Sequence, residues 1–137
     1  MKSKKFSILL ALIALIVASL ACGGPTEPTM SNVRMAKDQD GNQPATTFGV
    51  SETIFVVGDL AAMQVGNTVE TRWFTDNVDG YDPNFLIDSS SLTIDTANTD
   101  YFYFEFAAPP DGWPTGTYKV EVYLNGTLNT VTQYTVQ

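Results

Sequence analysis

The densest group of ionisable residues is Asp76-Asn77-Val78-Asp79-Gly80-Tyr81-Asp82. Its carboxylates offer the hard oxygen donors that calcium takes. Asp76, Asp79 and Asp82 are therefore the candidate metal ligands, and Ca²⁺ is the one cofactor the sequence suggests. Crowded carboxylates also raise one another's pKa, which can serve acid–base work. No second constellation lies nearby in sequence, and Asp and Asn also favour solvated turns, so no catalytic residue is assigned. A second stretch, Asp38-Gln39-Asp40-Gly41-Asn42, begins like an EF-hand loop but fails its register. That loop needs Gly at the sixth position and Glu at the twelfth, where Gln43 and Gly49 stand. It reads as a turn.

Histidine is absent and Cys22 is the only cysteine. The commonest general base and the His-dependent triads are thereby missing, as are the usual zinc sites. The expected role is non-catalytic. What remains for recognition is aromatic. In Tyr101–Phe106, Phe102, Phe104 and Phe106 alternate with Tyr101 and Tyr103. If the phenylalanines face a core, the two tyrosines face out, and Phe74 and Tyr123 fall on the polar parity of their own strands. Exposed rings stack on sugars or anchor a protein partner; the alternative is cross-strand pairing that stiffens a half-exposed sheet. Trp113, at the centre of Pro109-Pro110-Asp111-Gly112-Trp113-Pro114, either caps the end of the core or marks a recognition loop. Trp113, Tyr101, Tyr103 and Tyr123 are thus the candidate binding residues, for a protein or, alternatively, a glycan.

The elements that must position these residues are strands. From Ser31 onward no stretch sustains the helical i, i+3, i+4, i+7 spacing. Val33 and Met35 alternate in a first strand, Thr53–Leu60 is a strongly apolar second, and Thr68–Thr75 alternates Val69, Thr71 and Trp73 against Glu70, Arg72 and Phe74. Residues 77–84 form a polar loop. Phe85–Ile87 and Ser91–Thr96 read as two short strands, followed by Tyr101–Phe106 and Tyr118–Leu124. Asn125-Gly126 predicts a type I′ hairpin turn, leading to a last strand over Thr127–Val136. About seven short strands with frequent turns predict an all-β antiparallel sandwich over residues 31–137.

Two details carry a resemblance to the immunoglobulin-like and fibronectin-III-like superfold. Trp73 lies on the third strand, where such domains bury a tryptophan. Gly116-Thr117-Tyr118-Lys119-Val120 resembles the tyrosine corner, with Val120 where antibody domains carry a cysteine. The resemblance implies a variant without the sheet-bridging disulfide. Because one fold hosts many functions, it implies binding or structural roles only by analogy.

The N-terminus implies location. Lys2, Lys4 and Lys5 precede an apolar run, Phe6–Ala21. As a helix that run spans about 24 Å at 1.5 Å per residue, short against a hydrocarbon core of about 30 Å. This is the pattern of a secretory signal peptide over residues 1–21. The string Ala18-Ser19-Leu20-Ala21-Cys22-Gly23 resembles the lipobox of bacterial lipoproteins, whose cysteine is diacylated and becomes the mature N-terminus. The resemblance implies a lipidated Cys22 and a Gly/Pro tether over residues 22–30. It also implies a cell-envelope location, lipid-anchored to the outer face of the cell membrane or to the outer membrane. After residue 21, 15 acidic residues remain against Arg34, Lys37, Arg72 and Lys119, a net charge of −11 where the whole chain carries −8. Such a surface repels nucleic acid and anionic lipid, so the membrane contact falls to the lipid.

Overall fold

The computed structural model describes residues 27–137; the segment expected to be a signal peptide and Cys22 lie outside them. Eight strands form two sheets: β1 (Thr29–Ala36), β2 (Thr47–Phe48), β3 (Ile54–Ala61), β4 (Thr68–Val78), β5 (Leu86–Thr93), β6 (Tyr101–Phe106), β7 (Gly116–Leu124) and β8 (Thr127–Val136). One sheet has the order β1-β3-β6 and the other β2-β8-β7-β4-β5. All neighbours are antiparallel except the short β2, which runs parallel to the end of β8. The fold is an all-β sandwich of the immunoglobulin-like type, as the alternation predicts.

Period-2 patterning explains the layers. On β4, Val69, Thr71, Trp73 and Thr75 are buried while Glu70, Arg72 and Phe74 lean outward. Residues directly paired across strands share a face, so Trp73↔Val120 and Thr71↔Val122 place the buried side of β7 beside that of β4. From the facing sheet come Ile54, Val56, Leu60 and Phe102. Trp73 is 2% exposed. Its indole N–H donates to Thr71 Oγ1 at 3.2 Å, and its ring meets Phe106 edge-on at 5.2 Å. Gly58 lets the Phe102 ring lie flat across β3: a Cβ there would stand 2.5 Å from Phe102 Cε1. The tyrosine corner is present, with Tyr118 donating to the Pro114 carbonyl at 2.6 Å.

The structure departs from the sequence reading in four places. β4 runs on to Val78, so Asn77 and buried Val78, expected in the polar loop, pair with β7. β1 starts at Thr29, so the last two residues assigned to the tether join the sheet, and Met30 is buried in the core. The two short strands expected at Phe85–Ile87 and Ser91–Thr96 are one strand, β5. The serines between them do not break it, because an edge strand in water need bury neither face. β2 is an eighth strand, only two residues long and too short to announce itself by alternation.

Strand direction gives the sandwich two poles. Thr29, where β1 begins, pairs with Ala61, and Leu124–Thr127 close the hairpin beside the start of β4. The opposite pole holds the ends of β4 and β6 and the starts of β3, β5 and β7. Eleven-residue β4 spans the distance between them, roughly 35 Å at about 3.3 Å per residue.

Candidate functional site: an apolar groove at one pole

Two loops at the pole opposite Thr29 enclose a groove of about 260 Å³. The first loop joins β4 to β5. Buried Thr75 holds it: the hydroxyl donates to the Asp82 carbonyl at 2.7 Å and accepts the Phe85 N–H at 3.2 Å. Main-chain bonds Thr75 N–H to Phe85 O (3.0 Å) and Asn84 N–H to Thr75 O (2.8 Å) fix the same turn. The result presents Tyr81, Phe85 and Leu86 to solvent, 48%, 52% and 49% exposed. The Tyr81 and Phe85 rings lie 5.9 Å apart.

The second loop joins β6 to β7 and supplies the opposite wall. Trp113 is only 4% exposed. Its indole N–H donates to the Glu52 carbonyl at 3.0 Å and its main-chain N–H to Val50 O at 2.7 Å. Its ring packs edge-on against Phe106 at 4.7 Å and Tyr118 at 5.8 Å. Gly112, at φ +81°, lets the loop come this close to Val50: a Cβ would meet the Val50 carbonyl at 3.1 Å. The 49–52 turn is locked in its own right. The Glu52 carboxylate accepts the Gly49 N–H at 2.6 Å and pairs with Lys37 at 3.0 Å. The Gly49 N–H first, and then Lys37, hold its pKa below the usual carboxylate range. Tyr118 forms part of the floor. Burial, helped by the neighbouring Tyr81, pushes its pKa up to about 12, so it stays neutral and keeps its bond to Pro114.

The candidate residues named from sequence are not gathered here. Of the four aromatic candidates only Trp113 reaches the groove, and it does so as a buried wall, not as an exposed ring. A large ring beside Phe106 and Tyr118 gains more by closing the core than by standing in water. Tyr101 donates its hydroxyl to the Gln39 carbonyl at 2.7 Å on another part of the surface, and burial raises its pKa. Tyr103 is 41% exposed on β6. Tyr123 lies under the Arg72 guanidinium at 4.5 Å and donates to Glu121 at 3.2 Å.

Asp76, Asp79 and Asp82 do not converge on one point. Asp76 sits on β4 and accepts from the Thr117 hydroxyl at 3.2 Å, while Asp79 and Asp82 are exposed on the loop. Asp76 itself falls at an irregularity in the pairing of β4 with β7, between Thr75 and Asn77. Among the described residues no three acidic, His or Cys side chains gather to hold a metal ion. The Asp38 stretch is the turn expected, its carboxylate accepting the Asn42 and Gln43 N–H groups at 3.0 and 2.8 Å.

The exposed groove residues Tyr81, Phe85 and Leu86 escape the sequence reading, which puts Tyr81 in a polar loop over residues 77–84 and the other two in a short strand, Phe85–Ile87. The available signal was three large apolar side chains close together in a stretch otherwise rich in Asp, Asn, Gly and Pro.

No family model and no curated protein sequence matches the chain. Solved structures do. An immunoglobulin-like protein of Pseudomonas aeruginosa aligns with TM-score 0.59 and 12% identity over 84% of this chain and 100% of that one. A β-glucosidase of Listeria innocua aligns with TM-score 0.50 and 11% identity, covering 80% of this chain. A Pseudomonas fluorescens alkylpurine DNA glycosylase aligns with TM-score 0.49 and 12% identity, covering 82%. The chain spans 16% of the glucosidase and 31% of the glycosylase. At these identities the likeness shows the immunoglobulin-like fold alone.

Proposed function

We propose that the protein is a bacterial envelope lipoprotein, anchored through Cys22, whose sandwich is a non-catalytic binding module with the apolar groove as its ligand site. The groove itself carries this reading: Tyr81, Phe85 and Leu86 are held half in water by a fixed turn, against a wall that two hydrogen bonds lock. Unspent apolar surface on a rigid frame is the usual mark of a recognition site. Its position agrees. A lipid on Cys22 would tether the domain from the Thr29 end of β1, and the groove lies at the opposite pole, roughly the length of β4 away. A volume of about 260 Å³ lies below the ~300–1,000 Å³ of small-molecule pockets. It suits one or two side chains of a polypeptide better than a cofactor.

The glycan reading has less behind it. Stacking on sugars needs open ring faces. The Tyr123 ring is covered by Arg72, Tyr101 is tied to Gln39, and Tyr103 stands without the others. Catalysis has no assigned base or nucleophile in a chain without histidine.

Two measurements on cells test the proposal. Labelled palmitate should enter the wild type and not Cys22→Ser; equal incorporation contradicts the anchor. A photo-crosslinking amino acid at position 85 should capture a polypeptide, while the same group at position 103 or 123 should not. Capture at 103 or 123 alone contradicts the groove.

A further inference from the structure

The groove opens beside β5, and the two features together define a partner. We propose that an extended polypeptide segment adds as a strand to the free edge of β5 and seats one bulky apolar side chain, flanked by lysine or arginine, in the groove. This rests on the reading of the groove as the ligand site and adds the binding mode and partner class.

β5 is the outermost strand of its sheet, hydrogen-bonded on one side only, to β4. Asp88–Thr93 pairs with Thr68–Trp73 in unbroken register. An antiparallel edge strand leaves the N–H and C=O groups of alternate residues pointing outward. Proteins normally guard such edges with lysine, proline, bulges or extreme shortness. Of the other edges, β1 is bulged between Ser31 and Arg34 and β2 has only two residues; β6, like β5, pairs over six residues in unbroken register, but it contributes no residue to the groove. β5 has eight residues, Leu-Ile-Asp-Ser-Ser-Ser-Leu-Thr, with no lysine or proline and one charge, Asp88. Its one irregularity, at Ile87, lies at the groove end. All its residues except Ile87 are exposed, so neither face is covered by the opposite sheet.

A strand paired along Asp88–Thr93 and continued past Leu86 runs into the groove, because Leu86 and Ile87 belong to both. Main-chain pairing then supplies affinity and the pocket supplies selectivity, the division of labour in strand addition. Charge chooses the partner. Asp79, Asp82, Asp88 and Asp111 are exposed within two residues of the groove walls. The base equally near, Lys119, lies over the Phe74 ring at 5.1 Å. The rim therefore attracts a basic segment, and it repels a second copy of this acidic chain, which carries −11 after residue 21.

The test uses the full chain in non-ionic detergent micelles and a display library of random twelve-residue peptides. The enriched peptides should carry an aromatic or large aliphatic residue beside Lys or Arg and lack proline. Their affinity should fall at least tenfold on Phe85→Ala. Backbone N-methylation of a selected peptide, moved along it one residue at a time, should abolish binding at alternate positions only. That alternation is the signature of strand pairing, and it leaves the protein's own folding untouched. If Phe85→Ala weakens binding but N-methylation shows no alternation, the groove reading stands and strand addition is overturned. If no peptide enriches, or binding ignores Phe85→Ala, both are overturned. A stable dimer in sedimentation that the Phe85→Ala change dissociates would overturn the basic partner in favour of self-pairing.

Discussion

Tyr118 and Tyr134 stack on each other at 5.0 Å with their rings 3° from parallel, yet their hydroxyls have opposite fortunes. Tyr118 donates to Pro114, whereas the Tyr134 hydroxyl is buried without a protein partner among the described residues. Tyr118→Phe should therefore cost about 1–2 kcal/mol, because it strands a carbonyl at the loop that builds the groove wall. Tyr134→Phe removes no protein hydrogen bond and should leave stability unchanged or raised; urea denaturation of both variants checks the contrast. The pair also sets an alkaline limit. Burial raises both pKa values, to about 12 for Tyr118, above the ordinary tyrosine value near 10. Between those values the unfolded chain releases protons that the folded one keeps, so unfolding is favoured as pH rises. The stabilisation is complete below about pH 10 and should be lost through about pH 12, with a shallower fall in Tyr118→Phe. Glu52 has the opposite sign: its lowered pKa contributes stability above the ordinary carboxylate range, lost as pH falls through the folded value.

At the scale of elements, turns and glycines fix what the strands present. Asn125 and Gly126 adopt φ of 49° and 80°, the type I′ turn that the dipeptide predicts. Gly126→Val should destabilise the β7–β8 hairpin by about 1–3 kcal/mol, since a β-branched residue at positive φ is strained. Gly112→Ala should cost about 1–2 kcal/mol from its positive φ alone, and more if the Val50 contact cannot relax. Thermal melting of each tests these values. Most strands were legible in the sequence because one face of each is buried: Trp73 and Val120 alternate with polar neighbours for that reason. β5 was misread as two pieces because burial imposes no pattern on a strand with both faces in water. The groove was hidden for a related reason. Its walls come from loops about 30 residues apart in sequence; bonds to Thr75 set Tyr81 and Phe85, while bonds to Val50 and Glu52 and packing on Phe106 and Tyr118 set Trp113. Rings on the polar parity of strands, by contrast, drew attention to Tyr101, Tyr103 and Tyr123, which the sheet scatters and pairs with Gln39, Arg72 and Glu121.

For the whole molecule, one core supports the pole at which recognition is proposed. Trp73 joins the buried faces of the two sheets, and Trp73→Ala should cost about 3–5 kcal/mol; a domain melting within a few degrees of wild type would contradict that role. A net charge of −11 after residue 21 is expected to disfavour polyanions, and the lipid proposed at Cys22 would tether the domain from its Thr29 end. The central claim is that ligand recognition resides at the distal groove and its adjoining edge, not on the outward tyrosines. Hydrogen–deuterium exchange of the full chain, with and without a library-selected peptide, tests it most directly. New protection should be confined to segments covering residues 81–93 and 109–118. Protection centred on residues 101–106 or 119–124 instead, or no change anywhere at saturating peptide, would contradict it.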